Sequence, residues 1–257
     1  MAIVRATLHL LVGLIGVVCS AQIVHAQNTW TGFYVGAHAG YAWQRDNVAV
    51  TSQNPAVFGE QPFIVGLPSD GAVGGAQVGV NWQFAPHWVT GIEADFSRSK
   101  SSGDARNNSI FTDTGAPLPG AYHDVHQHMQ WFATVRGRLG YLVSNNLLLF
   151  GTGGFAYGRA DESALQDYTG TGASFSTFTG ASRSTMVGWT AGGGAELQLG
   201  GNWSAKIDYL YFDLGDDTIT QRRVLVLAND PQTLFSTFHQ HGNLVRVGIN
   251  YTFGWLP

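Results

Sequence analysis

From Asn81 to Ser97 the chain reads NWQFAPHWVTGIEADFS, and its large apolar side chains fall on alternate positions. Trp82, Phe84, Trp88, Thr90, Ile92, Ala94 and Phe96 share one parity, while Asn81, Gln83, Glu93 and Asp95 share the other. A period of two marks strands, and Ala85-Pro86 between the two halves predicts a tight turn.

The same alternation predicts eight strands along the chain: Thr31 to Trp43, Val73 to Phe84, His87 to Ser97, Gln127 to Val143, Leu147 to Gly158, Thr185 to Leu199, Trp203 to Asp213 and Asn243 to Phe253. In the fifth, Leu148 and Phe150 oppose Leu147 and Leu149 around Gly151, Gly153 and Gly154, so its facing stays open. Ala85-Pro86, Ser144-Asn145-Asn146 and Gly200-Gly201-Asn202 make short turns. Gln44 to Ala72, Ser99 to His126, Arg159 to Ser184 and Leu214 to Gly242 read instead as long polar loops. Short turns on one rim and long loops on the other predict an all-β fold, an eight-stranded antiparallel up-and-down transmembrane β-barrel with periplasmic turns and four extracellular loops. Strands of this length match the roughly 9 to 11 residues that cross an apolar layer at a tilt of about 45°.

Facing follows from energy. A one-residue slip would turn Arg136 and Arg138 toward acyl chains, at roughly 2–4 kcal/mol for each basic side chain near the midplane. The charges therefore belong inside, where Glu93, Asp95, Glu196 and Asp208 can meet Arg136, Arg138, Lys206 and Arg246 as paired ions. Eight strands enclose only room for their own side chains, so a packed polar plug is expected rather than an open pore. Interior-parity glycines such as Gly36, Gly40, Gly79, Gly91, Gly188 and Gly192 leave space for these long neighbours. Trp88, Trp203 and Tyr141 lie at the short-turn ends with outward parity, as an interfacial girdle requires. The competing interpretation, a soluble antiparallel sheet with a wet charged face, does not account for Trp and Tyr gathered on the other face.

Composition narrows the picture. Of 257 residues 34 are Gly and only 12% are charged, which favours strands and turns; the net charge of −4 is scattered and offers nucleic acid no basic surface. Residues 1–26 carry Arg5, an apolar run from Leu8 to Val18 and a small-residue ending at Ala26, and they read as a cleaved secretory signal preceding a barrel domain over 27–257. The single Cys19 lies in that segment, so the mature chain has no thiol for disulfides, metal or nucleophilic attack.

Candidate chemistry is sparse. His123, Asp124, His126 and His128 precede the fourth strand, and His239 and His241 precede the eighth. Parity carried upward turns His126 and His128 inward and His239 and His241 outward, which does not bring imidazoles together on one ion. They read as solvated rim histidines, and His38 as a hydrogen-bonding residue of the lumen. GxSxG and HExxH motifs are absent, and GTGGFAYG sits in a strand pattern with no helix to follow. No catalytic, metal or cofactor residue is expected.

Eight segments then carry a resemblance: WTGFYVGAHAGYAW (Trp30 to Trp43), GGAQVGVNWQF (Gly74 to Phe84), VTGIEADFS (Val89 to Ser97), VRGRLGY (Val135 to Tyr141), LLFGTGGFAYG (Leu148 to Gly158), GWTAGGGAELQL (Gly188 to Leu199), KIDYLYFDLG (Lys206 to Gly215) and VRVGINYTF (Val245 to Phe253). Together they resemble the porin-like outer-membrane surface antigens of alphaproteobacteria, the outer-membrane immunogenic proteins, grouped with the OmpA-like barrels. The resemblance implies an outer-membrane location, envelope integrity, surface exposure and antigenicity, and sometimes a porin label. It also implies that Phe253 is the terminal aromatic read by the barrel-insertion machinery, although Gly254-Trp255-Leu256-Pro257 follow it. The expected function is a non-enzymatic surface protein whose partners are outer-membrane lipids, lipopolysaccharide, the insertion machinery and whatever host or cell-surface ligand its loops touch. A small-solute channel and a lipid-modifying enzyme are the alternatives.

Overall fold

The computed structural model describes residues 30–53, 62–112, 114–168, 177–224 and 233–253. The predicted export segment and the tail after Phe253 lie outside them. The strands are β1 (Gly32–Ser52), β2 (Phe63–Ala85), β3 (Trp88–Ser99), β4 (Ser102–Asn107), β5 (Tyr122–Ser144), β6 (Leu147–Asp167), β7 (Thr177–Gly200), β8 (Trp203–Arg223) and β9 (Thr233–Phe253). All pairings are antiparallel between neighbours, and β1 closes the ring by pairing with both β2 and β9. β4 continues β3 after a break at Lys100 and Ser101, since both lie between β2 and β5. The nine strands thus form eight staves of one closed barrel.

The staves are about twice as long as the alternation first suggested, with β7 running 24 residues. At about 3.3 Å per residue and a tilt near 45°, such strands stand roughly 50 Å tall, whereas the apolar band of an outer membrane is about 25 Å. The strand ends that flank the four long connections do lie at one rim, but most of the described residues between Gln44 and Ala72, Arg159 and Ser184, and Leu214 and Gly242 prolong the strands. Above the membrane the barrel goes on in water.

The pattern of β1 explains why that extension was hidden. Even-numbered residues point inward along its whole length. Up to Trp43 the outward positions are Phe33, Val35, Ala37, Ala39, Tyr41 and Trp43; above it they become Arg45, Asn47, Ala49 and Thr51, while Val48 and Val50 are buried inside. The side-chain character thus inverts while the backbone keeps its parity. In lipid the apolar face must look out, and in water it must look in. β2 repeats this with Val65 and Leu67 buried beneath outward Gly66, Pro68 and Asp70.

Irregularities correct two expectations. In β5 the register shifts between Met129 and Trp131, leaving Gln130 as an extra residue. This bulge reverses parity above it, so His126 and His128 face outward, not inward, and Val125, Gln127 and Met129 fill the interior. His123 is fully buried rather than solvated, with Nδ1 2.5 Å from Gln166 Oε1. In β8 a shift between Asp213 and Asp216 is made at Gly215, whose φ of +79° suits glycine. The facing of β6, open from sequence, is settled: Leu148 and Phe150 point in, Leu149 and Phe155 out.

Candidate functional site: a stratified lumen

The interior is a stack of alternating layers. At the turn end, Trp30 crosses the mouth and packs with Val89, Leu142 and Leu148, its indole Nε1 donating to Asn145 O at 3.2 Å. Above it comes the charged layer. Arg136 reaches Glu93 and donates to Asp95 Oδ2 at 2.9 Å and, from Nε, to Thr134 Oγ1 at 2.9 Å. Lys206 Nζ donates to both Glu93 oxygens at 2.7 and 2.9 Å. Arg246 forks onto Asp208 at 3.0 and 2.8 Å, and its Nη1 stands 3.0 Å from Asp95 Oδ1. Arg138 donates to Glu196 at 2.7 Å while its guanidinium lies over the Phe150 ring, 4.2 Å from the centroid.

All eight charged residues singled out in the sequence therefore meet in one layer, and four acids against four bases make it neutral. An isolated buried ion costs several kcal/mol, and only mutual pairing with full hydrogen bonding repays that. Sequence reasoning missed the uncharged residues that complete the layer. Tyr34 donates to Glu93 at 2.6 Å, Ser204 and Asn250 both donate to Glu196 Oε1, and Gln77 donates to Asn250 at 2.5 Å. Inward parity alone would have found them. Gly79 gives the Tyr34 ring its place, since a Cβ there would stand 2.4 Å from the phenol oxygen. His38 Nε2 lies 2.7 Å from Ser97 Oγ.

Over the charges sits an apolar layer that includes Met129, Phe132, Leu210, Phe212 and Leu244. Phe132 and Phe212 have ring centroids 4.8 Å apart. In the half above the bilayer a second polar layer joins Gln44, Gln127 and Gln240, with Gln240 donating to Glu162 at 2.5 Å. Burial raises Asp46 to about 7, and burial together with the neighbouring Asp217 charge raises Glu162 to about 8. A further apolar layer of Val48, Leu67, Ile219 and Phe238 follows, and then one around Ile110, Phe178 and Leu234.

On the outside, Trp88 and Tyr141 meet edge to face at 5.3 Å, and Trp203 does the same with Tyr251 at 5.1 Å, both at the short-turn end. Phe253 ends β9 facing outward, beside Phe33 across the closing seam at 6.0 Å. The rim histidines stand apart: His126 pairs with Asp104 at 2.5 Å, His239 with Asp216 at 2.5 Å and His241 with Asp46 at 3.2 Å.

A closed ring with an outward apolar band, aromatic ends and ions sealed inside is a transmembrane β-barrel of a bacterial outer membrane. The chain belongs to the family described as outer membrane protein beta-barrel domain, whose model matches residues 11–253. It is 36% identical over 237 residues to the 31 kDa outer-membrane immunogenic protein of Brucella melitensis biotype 1, covering 88% of this chain and 84% of that one. Similarity to the 22 kDa outer membrane protein of Rhizobium leguminosarum bv. viciae is 28% identity, with 74% and 67% covered. Among solved structures, the outer membrane protein OprG from Pseudomonas aeruginosa superposes with a TM-score of 0.53 at 12% identity, over 89% of this chain and 99% of that one, a likeness of fold.

Proposed function

We propose that this outer-membrane barrel is a non-enzymatic structural and surface protein with a sealed lumen, which contributes to envelope integrity and presents its upper half and loops to the outside. The observation that carries this is the stacking of the neutral charged layer beneath the Phe132–Phe212–Leu244 layer, because a hydrated solute would have to displace paired ions and then cross an apolar septum. The immunogenic label of the Brucella relative supports the surface role. In planar bilayers the purified protein is expected to stay silent; reproducible unitary current steps would defeat the sealed lumen. The channel alternative draws on the β7–β8 ladder, which is interrupted between Thr179 and Trp189, where the wall is least stitched. Steps that vanish when a disulfide bridges that gap would favour it.

A further inference from the structure

The upper margin of the apolar belt is not equally charged all round. Across three staves, Arg98 of β3 pairs in register with Trp131 of β5, and Trp131 with Arg159 of β6. All three face outward, one step above the exposed Phe96, whose ring stacks on Trp131 with centroids 5.8 Å apart. Adjacent strands lie about 4.8 Å apart, so the two arginines bracket the indole across roughly 10 Å. Lys100 lies on the same face, two residues above Arg98.

These cations are not held in ion pairs. Among the described residues, no carboxylate lies in ion-pair reach of Arg98, Lys100 or Arg159, although Arg106 and Arg183 nearby are held by Asp124 and Asp161, each at 2.6 Å. Asp161, two residues from Arg159 on the same strand, is occupied by Arg183 and Gln130. Arg159 Nε is buried without a hydrogen-bond partner. On the adjoining β2, Asp70 stands opposite Ser102 and accepts from the Tyr41 hydroxyl; farther round the margin, β8 offers Asp213 and Asp216 against Arg45 on β1. Three cations outside any ion pair therefore gather around an outward tryptophan at headgroup height on this wall.

We propose that this wall is a docking site for a phosphorylated glycolipid of the outer leaflet, with its phosphates between Arg98, Lys100 and Arg159 and its acyl chains on Phe96, Val135 and Phe155. Guanidinium forks suit phosphate oxygens, and three cations match a headgroup bearing two phosphates. The indole gives the sugar an apolar face at the interface. The site deepens the outer-membrane reading and is independent of whether the lumen conducts.

Native mass spectrometry of the full-length protein in neutral detergent tests this, with diphosphoryl lipid A, its dephosphorylated form and inorganic pyrophosphate as probes. Wild type is expected to retain diphosphoryl lipid A at least tenfold more tightly than the dephosphorylated form. The triple variant Arg98→Gln/Lys100→Gln/Arg159→Gln should lose that preference, while Arg45→Gln keeps it. Equal retention of both lipids by wild type would overturn the proposal, and so would an unaltered triple variant. Pyrophosphate binding as tightly as the lipid would make the wall a soluble-anion site and overturn it too. The wild-type comparison needs no variant and decides the matter even where the triple variant fails to fold.

Discussion

Arg246 forks onto Asp208 and also neutralises Asp95, although all three side chains are almost wholly excluded from solvent. Removing one partner of such a set leaves an uncompensated ion, at about 3–5 kcal/mol, whereas removing a matched pair leaves the count balanced. Arg246→Met is therefore expected to lower the unfolding free energy of the purified barrel, read from urea titration, by an amount in that range. The double variant Arg246→Met/Asp208→Asn should recover part of the loss. If the single and double variants unfolded together with wild type, the charged layer would have no part in holding the staves. On the lipid side the arithmetic changes sign. Val247 is outward and exposed, so Val247→Arg near the midplane is expected to cost about 2–4 kcal/mol, measurable as reduced yield of the heat-modifiable folded band after refolding into vesicles.

The bulge at Gln130 is the element that lets one strand serve two solvents. Below it β5 shows Val135 and Leu139 to lipid and Arg136 and Arg138 to the lumen; above it Val125 and Met129 turn inward and His126 and His128 outward. Were Gln130 instead held in the ladder as an ordinary residue, the upper half of β5 would bury two imidazoles and expose Val125 to water, unless β5 slid against both neighbours. Deletion of Gln130 is accordingly expected to be tolerated, because Met129 and Trp131 then follow one another opposite Ala160 and Arg159 with the facing of both halves kept. Limited trypsin digestion should then cut at Arg106 and Arg159 no faster than in wild type. New cuts at these sites after the deletion would show that Gln130 is not the residue that the bulge absorbs.

Above the bilayer the barrel behaves as a small water-soluble β domain with a buried acidic layer. Asp46 and Glu162 have folded values raised to about 7 and 8, so protons bind them more tightly in the folded state. Their contribution is complete below the ordinary carboxylate range and is lost as pH rises through 7 and 8. His123 is lowered to about 4 by burial; its contribution is present above the ordinary imidazole value and fades as pH falls toward 4. The upper half is thus expected to be tighter at pH 5.5 than at pH 8.5. Hydrogen exchange of β1, β6 and β8 above the belt reads this directly, and Glu162→Gln should flatten the alkaline loss. Exchange that slows at pH 8.5, once corrected for the intrinsic rate, would contradict the buried acidic layer.

Much of this barrel was legible without coordinates. Alternation on eight segments, three tight turns and a set of charges with equal numbers of each sign follow from residue order, because pleating ties parity to facing and lipid forbids an outward ion near its centre. Tertiary structure alone decided the rest. The phase of the pattern inverts where lipid gives way to water, so Val48, Val50, Val65 and Leu67 read as loop residues until the closed wall shows them to be core. A single inserted residue, Gln130, reverses the facing of two histidines, and nothing in the local sequence marks it. The partners within the charged layer, such as Lys206 of β8 on Glu93 of β3, come from opposite parts of the ring. Distance along a chain sets which face a residue occupies, but only closure of the sheet sets which residues meet across the lumen.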